Sequence, residues 1–316
     1  MKKILVTGAN GQIGSELIAE LRKKYGAKNV VGLDLREPAA GQKEEGPYEI
    51  ADATDRKRLD EAVVKYGIDT IFHLVGILSA VGEKNPDLAW KVNMESLKHV
   101  LDIAKERKLA LFWPSSIAAF GPTTPRAKAP QKTVLEPSTI YGVTKVAGEL
   151  LCQYYFAKYG VDVRSIRYPG LISWKNPPGG GTTDYAVVIY YDAIEKGEYS
   201  CFVGPKTRLP MMYMPDAIRG TIELMEAPAE KIRVRTSYNL AAMSFSAEEI
   251  AAEVAKRVGG FKISYAPDGR QKIADSWPES VDDSAARGEW GWKHRFDLAK
   301  MSEDMLANLR IKLGKK

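Results

Sequence analysis

Tyr141 and Lys145 stand four residues apart in the run Tyr141-Gly-Val-Thr-Lys145. In a helix that spacing stacks them on one face, about a turn apart, so a phenol and an ammonium can face one bound ligand. A nearby positive charge favours phenolate, which turns a group of unperturbed pKa ~10 into a base usable near neutral pH. The same spacing also arises in amphipathic helices whose tyrosine is core and whose lysine is solvated. The pair therefore takes its meaning from the rest of the chain. At the amino end, Gly8, Gly11 and Gly14 recur at three-residue intervals in Thr7-Gly-Ala-Asn10-Gly-Gln12-Ile13-Gly14, directly after the apolar run Ile4-Leu5-Val6. This reads as strand, tight turn and helix, in which glycines let the backbone approach a pyrophosphate. The unpaired amides at the helix start stabilise its charge.

The elements that follow extend this reading. A second apolar run, Val30 to Leu33, leads to Asp34 and Leu35, with Asp34 twenty residues beyond Gly14. A carboxylate there accepts hydrogen bonds from a ribose and repels a 2′-phosphate, which predicts NAD over NADP. Arg36 could meet a phosphate but reads as a solvated side chain. Tyr48 to Asp52 and Ala53 predict a third strand, its acid within reach of an adenine amino group. Asp52 serves equally well as the cap of a helix over 54–65. Thr70 to Gly76 predicts a buried strand whose end, Leu74-Val75-Gly76, lets a cofactor pass close. His73, inside that strand, reads as packed core. Three scattered histidines and the distant Cys152 and Cys201 offer no zinc cluster, which predicts metal-free chemistry. The cysteines also form no disulfide framework, as fits a reducing compartment.

With Pro114-Ser-Ser116 and Arg167-Tyr168-Pro169-Gly170 added in this order, the chain resembles the extended short-chain dehydrogenase/reductase family over essentially its whole length. The resemblance implies an α/β fold, a Rossmann-type doubly wound parallel sheet with a smaller C-terminal substrate-binding part. It implies that Ser116 holds the substrate oxygen, with Ser115 a possible competitor, that Tyr141 moves the proton and that Lys145 clamps the nicotinamide ribose. Tyr168 and Pro169, where a strand ends, are candidate nicotinamide contacts. Trp174, the run from Gly179 through Thr182-Thr183-Asp184-Tyr185, Leu209 to Ala217, and Trp277-Pro-Glu-Ser280 are similar to stretches of the L-threonine 3-dehydrogenases within that family. That similarity implies oxidation of the Cβ hydroxyl of L-threonine by NAD⁺, with Ser79, Thr182, Thr183 and Trp277 beside Ser116 and Tyr141 in the substrate pocket. Thr183 also reads as the cap of a helix over 185–196, and glycines 179 to 181 read as a lid loop. Phe120 stands where sugar epimerases often carry tyrosine. The alternatives are a nucleotide-sugar epimerase, dehydratase or reductase on the same scaffold, and an NAD-sensing binding module, which would have no need of an acid/base tyrosine.

At 316 residues and 45% hydrophobic content the chain has room for one large or two modest cores. A dinucleotide domain is expected over 1–166 and a substrate part over 167–316. Segments around 236–242 should return to the main sheet, with Tyr238-Asn-Leu240 the candidate strand. Helices over 87–106 and 141–159 carry apolar faces that can pair across a two-fold axis, as in the family's dimers, so a homodimer is expected. No apolar run approaches the ~18 residues of a membrane span, nor does the amino end resemble a signal peptide. The expected location is the cytoplasm. The net charge of +6 is dispersed and accompanies no nucleic-acid-binding signature, so it reads as solubility and steering of an anionic cofactor.

Overall fold

The computed structural model describes residues 1–38 and 45–315. Short apolar runs form the strands β1 (Ile4–Thr7), β2 (Val30–Asp34), β3 (Tyr48–Ile50), β4 (Thr70–His73), β5 (Ala110–Ser116) and β6 (Val163–Tyr168). Strands β1, β2, β4 and β6 are buried along their whole length, because helices cover both faces of the sheet they form. Those helices are α1 (Gln12–Tyr25), α2 (Arg56–Tyr66), α3 (Ser79–Lys84), α4 (Pro86–Trp90), α5 (Ser96–Arg107) and α6 (Ile140–Tyr159).

The later chain adds β7 (Gly170–Ile172), β8 (Glu198–Cys201), β9 (Arg208–Tyr213), β10 (Tyr238–Asn239), β11 (Met243–Ser246) and β12 (Lys262–Tyr265). Among the described residues, seven strands form one sheet in the order β10-β6-β5-β4-β1-β2-β3. All of its pairings are parallel. This is a Rossmann-like α/β fold. Its strand order reverses between β1 and β4, which opens a crevice at the carboxyl ends of the strands. β10 lies beside β6, so the chain returns to the main sheet from its second half. That half also builds the sheet β11-β9-β7 and the pair β12-β8. The helices α7 (Tyr185–Glu195), α8 (Met214–Glu226) and α9 (Ala247–Ala255) belong to it too. The buried apolar residues fall into three clusters, one on each face of the main sheet and one in the C-terminal half. Each fully buried large side chain contributes roughly 1.5–3 kcal/mol.

Two local expectations change. The single helix expected over 87–106 is α4 and α5 joined by a π-helical turn, Lys91–Glu95. Apolar periodicity does not register one extra residue in a turn. The turn aims Asn93 at the end of β4: its Oδ1 accepts from Ile77 N at 2.7 Å, and its Nδ2 donates to Ile77 O at 3.2 Å and to Thr144 Oγ1 at 3.1 Å. The cap of α2 is Asp55, whose side chain accepts from Arg58 N. Asp52 instead closes a turn, accepting from the amide and hydroxyl of Thr54, each at 2.8 Å. No helix among the described residues is long and apolar enough to cross a membrane.

Candidate active site

Thr139 starts α6 by accepting from Gly142 N, and Gly160 ends it in the left-handed conformation at φ 69°. The helix lies close against β5 and the turn after it because its inward face lacks side chains. A Cβ on Gly142 would stand 2.2 Å from Ala118 O, and one on Gly148 would stand 2.4 Å from the Trp113 ring. That approach delivers Tyr141 and Lys145 to the crevice. Lys145 is 6% exposed, and its Nζ donates to Pro114 O at 2.6 Å. Its Nζ also sits 4.5 Å from the Trp113 ring centroid and 5.2 Å from that of Tyr141.

The electrostatics differ from the sequence expectation. Burial pushes the Tyr141 phenol up to about 12, with the Ser116 hydroxyl pulling it partly back. Burial pulls the Lys145 ammonium down to about 7, opposed by the Glu149 carboxylate. Desolvation thus dominates at both groups, and at the phenol it acts against the expected acidification. The two serines divide their tasks. Ser115 is buried and donates to Glu149 Oε1 at 2.5 Å. Ser116 meets the phenol, its Oγ also accepting from Ala118 N at 3.2 Å.

One cleft of about 160 Å³ gathers Ser116, Tyr141 and Lys145 with Tyr168 and Pro169. Gln12, Ile13, Leu74, Val75 and Gly76 also line it, as do Ser79, Thr182, Thr183 and Trp277. Ser79 opens α3. Thr182 is 1% exposed, and its Oγ1 has no hydrogen-bond partner. Thr183 does not cap α7, because the cap position belongs to Asp184. The Asp184 carboxylate folds the glycine run back on itself, its Oδ2 accepting from Gly180 N and Gly181 N at 2.7 Å each. Trp174 lies outside the cleft lining, its carbonyl accepting from Tyr191 OH and from Lys312 Nζ, both at 3.1 Å. Sequence reasoning passed over Asn93 and Asp184. An aspartate directly before an apolar helix was a usable signal for the second, whereas the π turn behind the first left none.

Gly8, Asn10, Gly11, Gly14, Asp34, Leu35, Asp52 and Ala53 stand outside this cleft, at and beyond the carboxyl ends of β1, β2 and β3. Gly8 holds φ +71°, and a Cβ on Gly14 would stand 2.1 Å from Gly8 O, so α1 starts hard against the turn. Asn10 N donates to Asp34 Oδ2 at 3.0 Å, and Asn10 Nδ2 to the carbonyls of Arg36 and Glu37 at 2.9 Å each. Its own Oδ1 is buried without a partner. Arg36 is drawn to Asp34, Nε to Oδ1 3.6 Å, and Leu35 is 68% exposed. A Cβ on Gly76 would meet nothing nearer than Asn93 Oδ1 at 3.4 Å. The protein itself tolerates a side chain there, and the space suits a passing ligand. An orphaned polar atom, a glycine turn at a helix start and a carboxylate ending β2 together fit a dinucleotide.

Two further features bear on the site. The loop after β7 is fastened to the first turn of α1, with Asn176 Nδ2 donating to Ser15 Oγ at 2.9 Å and to Gln12 O at 3.3 Å. His73 is buried between Thr7 Oγ1 at 2.7 Å and Ser96 Oγ at 3.0 Å. Burial drives its pKa to about 3, so it stays neutral. Among the described residues, no three His, Cys, Asp or Glu side chains gather as a metal site.

Residues 4–241 match the model of the NAD dependent epimerase/dehydratase family. An uncharacterized epimerase/dehydratase of Staphylococcus saprophyticus is 52% identical over 97% of this chain and 96% of its own. The structure of L-threonine dehydrogenase from Clostridium difficile is 52% identical, covers 99% of this chain and 98% of its own, and superposes with a TM-score of 0.97. A monomeric L-threonine 3-dehydrogenase from a metagenome is 51% identical over 98% of this chain and 99% of its own, with a TM-score of 0.95. The glycine turn, the carboxylate ending β2 and the tyrosine–lysine helix thus sit on a fold shared along the whole chain, which belongs to the NAD-dependent epimerase/dehydratase family, the extended short-chain dehydrogenases/reductases, and uses NAD.

Proposed function

We propose that this protein is an L-threonine 3-dehydrogenase, oxidising the Cβ hydroxyl of L-threonine with NAD⁺ to 2-amino-3-oxobutanoate and NADH. The observation that carries this reading is one small cleft lined together by Ser116, Tyr141, Lys145 and Thr182, whose buried hydroxyl has no partner. NAD⁺, when bound, supplies a hydride acceptor and a positive ring. Tyr141 takes the proton of the Cβ hydroxyl as its base. Ser116 holds that oxygen within reach of the phenol, and Lys145 grips the nicotinamide ribose. Asp34 and the backbone of the Gly8–Gly14 turn hold the rest of the dinucleotide. Threonine is small, so its binding must come from polar contacts. Thr182, Thr183 and the amides at the start of α7 receive its carboxylate, with Ser79 and Trp277 closing the pocket. Residues 1–166 serve the cofactor and 167–316 mainly the substrate.

A second observation disfavours a nucleotide sugar. The arginines best placed to grip a diphosphate are occupied, Arg208 by Glu249 at 2.6 Å and Arg219 by Asp216 and Glu223 at 2.7 and 2.8 Å. Purified protein with L-threonine and NAD⁺ should generate the near-ultraviolet absorbance of NADH. NADP⁺, allo-threonine and a nucleotide sugar should give little. Silence with L-threonine under both cofactors sinks the reading.

We also propose a homodimer. Val143, Leu150 and Tyr154 on α6 are exposed beside Leu88 and Trp90 on α4, and an apolar face built by neighbouring helices suits a second copy. Sedimentation should give twice 34.9 kDa, and Leu150→Asp with Tyr154→Asp should give the single chain. A parent protein that sediments as one chain overturns this. Two free, buried cysteines suit the cytoplasm as its location.

A further inference from the structure

We infer that Glu149 is a positioning residue, whose one carboxylate holds the helix of Tyr141 and Lys145 in register with the strand ends that carry Ser116 and Tyr168. The inference rests on the threonine oxidation proposed above. Glu149 lies on α6 one turn beyond Lys145 and is 1% exposed. Its Oε1 accepts from Ser115 Oγ at 2.5 Å and from Arg167 Nε at 2.8 Å, and its Oε2 accepts from Arg167 Nη2 at 2.6 Å. Ser115 and Arg167 are direct partners across β5 and β6, and the next pair in the register is Ser116 with Tyr168. Each residue that Glu149 grips is therefore the immediate neighbour of one that lines the cleft.

The network runs further. Arg167 Nη1 donates to Asn239 Oδ1 at 3.0 Å and to Gln131 O at 3.1 Å. Asn239 Nδ2 in turn holds the carbonyls of Ala129 and Asp282, at 3.1 Å each. Ala129 N donates to Ser280 O at 2.9 Å, in the segment that brings Trp277 to the cleft. A buried polar network with its members satisfied rigidifies what it connects. Stability alone is a poor reason for such a pair, since a buried ion pair replaced whole by apolar groups of like volume is often neutral or stabilising.

That contrast supplies the test. Glu149→Met with Arg167→Met removes the ion pair as a unit, at the cost of the carboxylate that supports the Lys145 ammonium, and Ser115→Ala removes the third partner with little change of volume and leaves both charges in place. In the double variant kcat for L-threonine should fall at least about tenfold, as misplacement of reacting groups does, with KM for L-threonine near parental. In Ser115→Ala a smaller loss of kcat with an unchanged melting temperature is expected. Amide hydrogen exchange gives a second readout that needs no turnover. Residues 114–118, 141–146 and 167–170 should exchange faster in both variants while α1 and β1 do not. Parental kcat or parental exchange at those three segments, in either folded variant, overturns the inference. If the parent protein is silent with threonine, the proposed reaction fails, and the exchange comparison still decides whether Glu149 holds the three elements.

Discussion

Tyr141→Phe is expected to lower kcat by a factor of about 10²–10⁴, the range a positioned general base contributes, with NAD⁺ affinity and melting temperature close to parental. The Ser116 hydroxyl pulls on the phenol, and the ring packs at the edge of the C-terminal core. Phenylalanine keeps that packing and loses only the proton site. The pH dependence sharpens the test. Burial holds the phenol at about 12, so its base form grows as pH rises, and the positive ring of bound NAD⁺ draws that ionisation toward working pH. Parental kcat should climb from acid to alkaline pH, and the residual rate of the variant should lose the climb. Stopped-flow NADH formation across a pH series, with NAD⁺ titrated by fluorescence, checks both parts. Near-normal turnover in Tyr141→Phe removes the residue from the chemistry.

Gly142→Ala should be nearly as damaging, although it adds a single methyl. The new carbon would stand 2.2 Å from Ala118 O and 2.5 Å from the Pro137 side chain. The first is backbone in a buried turn, so the start of α6 must move instead. A shift of about 1 Å at a reacting group can cost roughly 10²-fold in rate, and overpacking at such a contact costs about 1–3 kcal/mol of stability. The expected result is therefore a loss of kcat near two orders of magnitude together with a lower melting temperature. KM should change less, because Thr182, Thr183 and Trp277 are carried by other segments. Calorimetry and steady-state kinetics on one preparation separate the two losses. A variant with parental kcat would show that the helix-to-strand spacing is not what places Tyr141.

Legibility in the sequence followed the range of the interactions. The strand–glycine–helix opening, the acid ending β2 and the Tyr141–Lys145 spacing are local patterns set by backbone geometry, and each sits where those rules put it. Helix ends were less legible, because several polar residues compete within a few positions: Asp55 rather than Asp52 caps α2, and Asp184 rather than Thr183 holds the cap position of α7 while its carboxylate turns to the glycine run. The π turn that aims Asn93 was invisible, since it is a choice of hydrogen-bond register and not of residue type. Burial was the other missing quantity. The sequence offers a lysine beside a tyrosine and suggests an acidified phenol, whereas the fold buries the lysine and part of the tyrosine, and desolvation raises the phenol instead. Long-range partners escaped for the same reason. Glu149 reads as one more charge on a helix until Ser115 and Arg167 arrive from two strands.

The glycine-lined contact between α6 and β5 bears on how such a protein changes over generations. Where the distance between two elements is fixed by atoms that are absent, nearly every substitution adds bulk and is lost to selection. The loop proposed to meet the substrate is less restricted at its tip: a Cβ on Gly179 would meet nothing within 4 Å, and Trp277 arrives on a separate stretch of chain. New substrate preferences can accumulate in those segments while the proton-transfer apparatus is inherited as a block. Divergence among relatives should therefore concentrate along residues 174–183 and around Trp277, with positions 142 and 148 the last to vary.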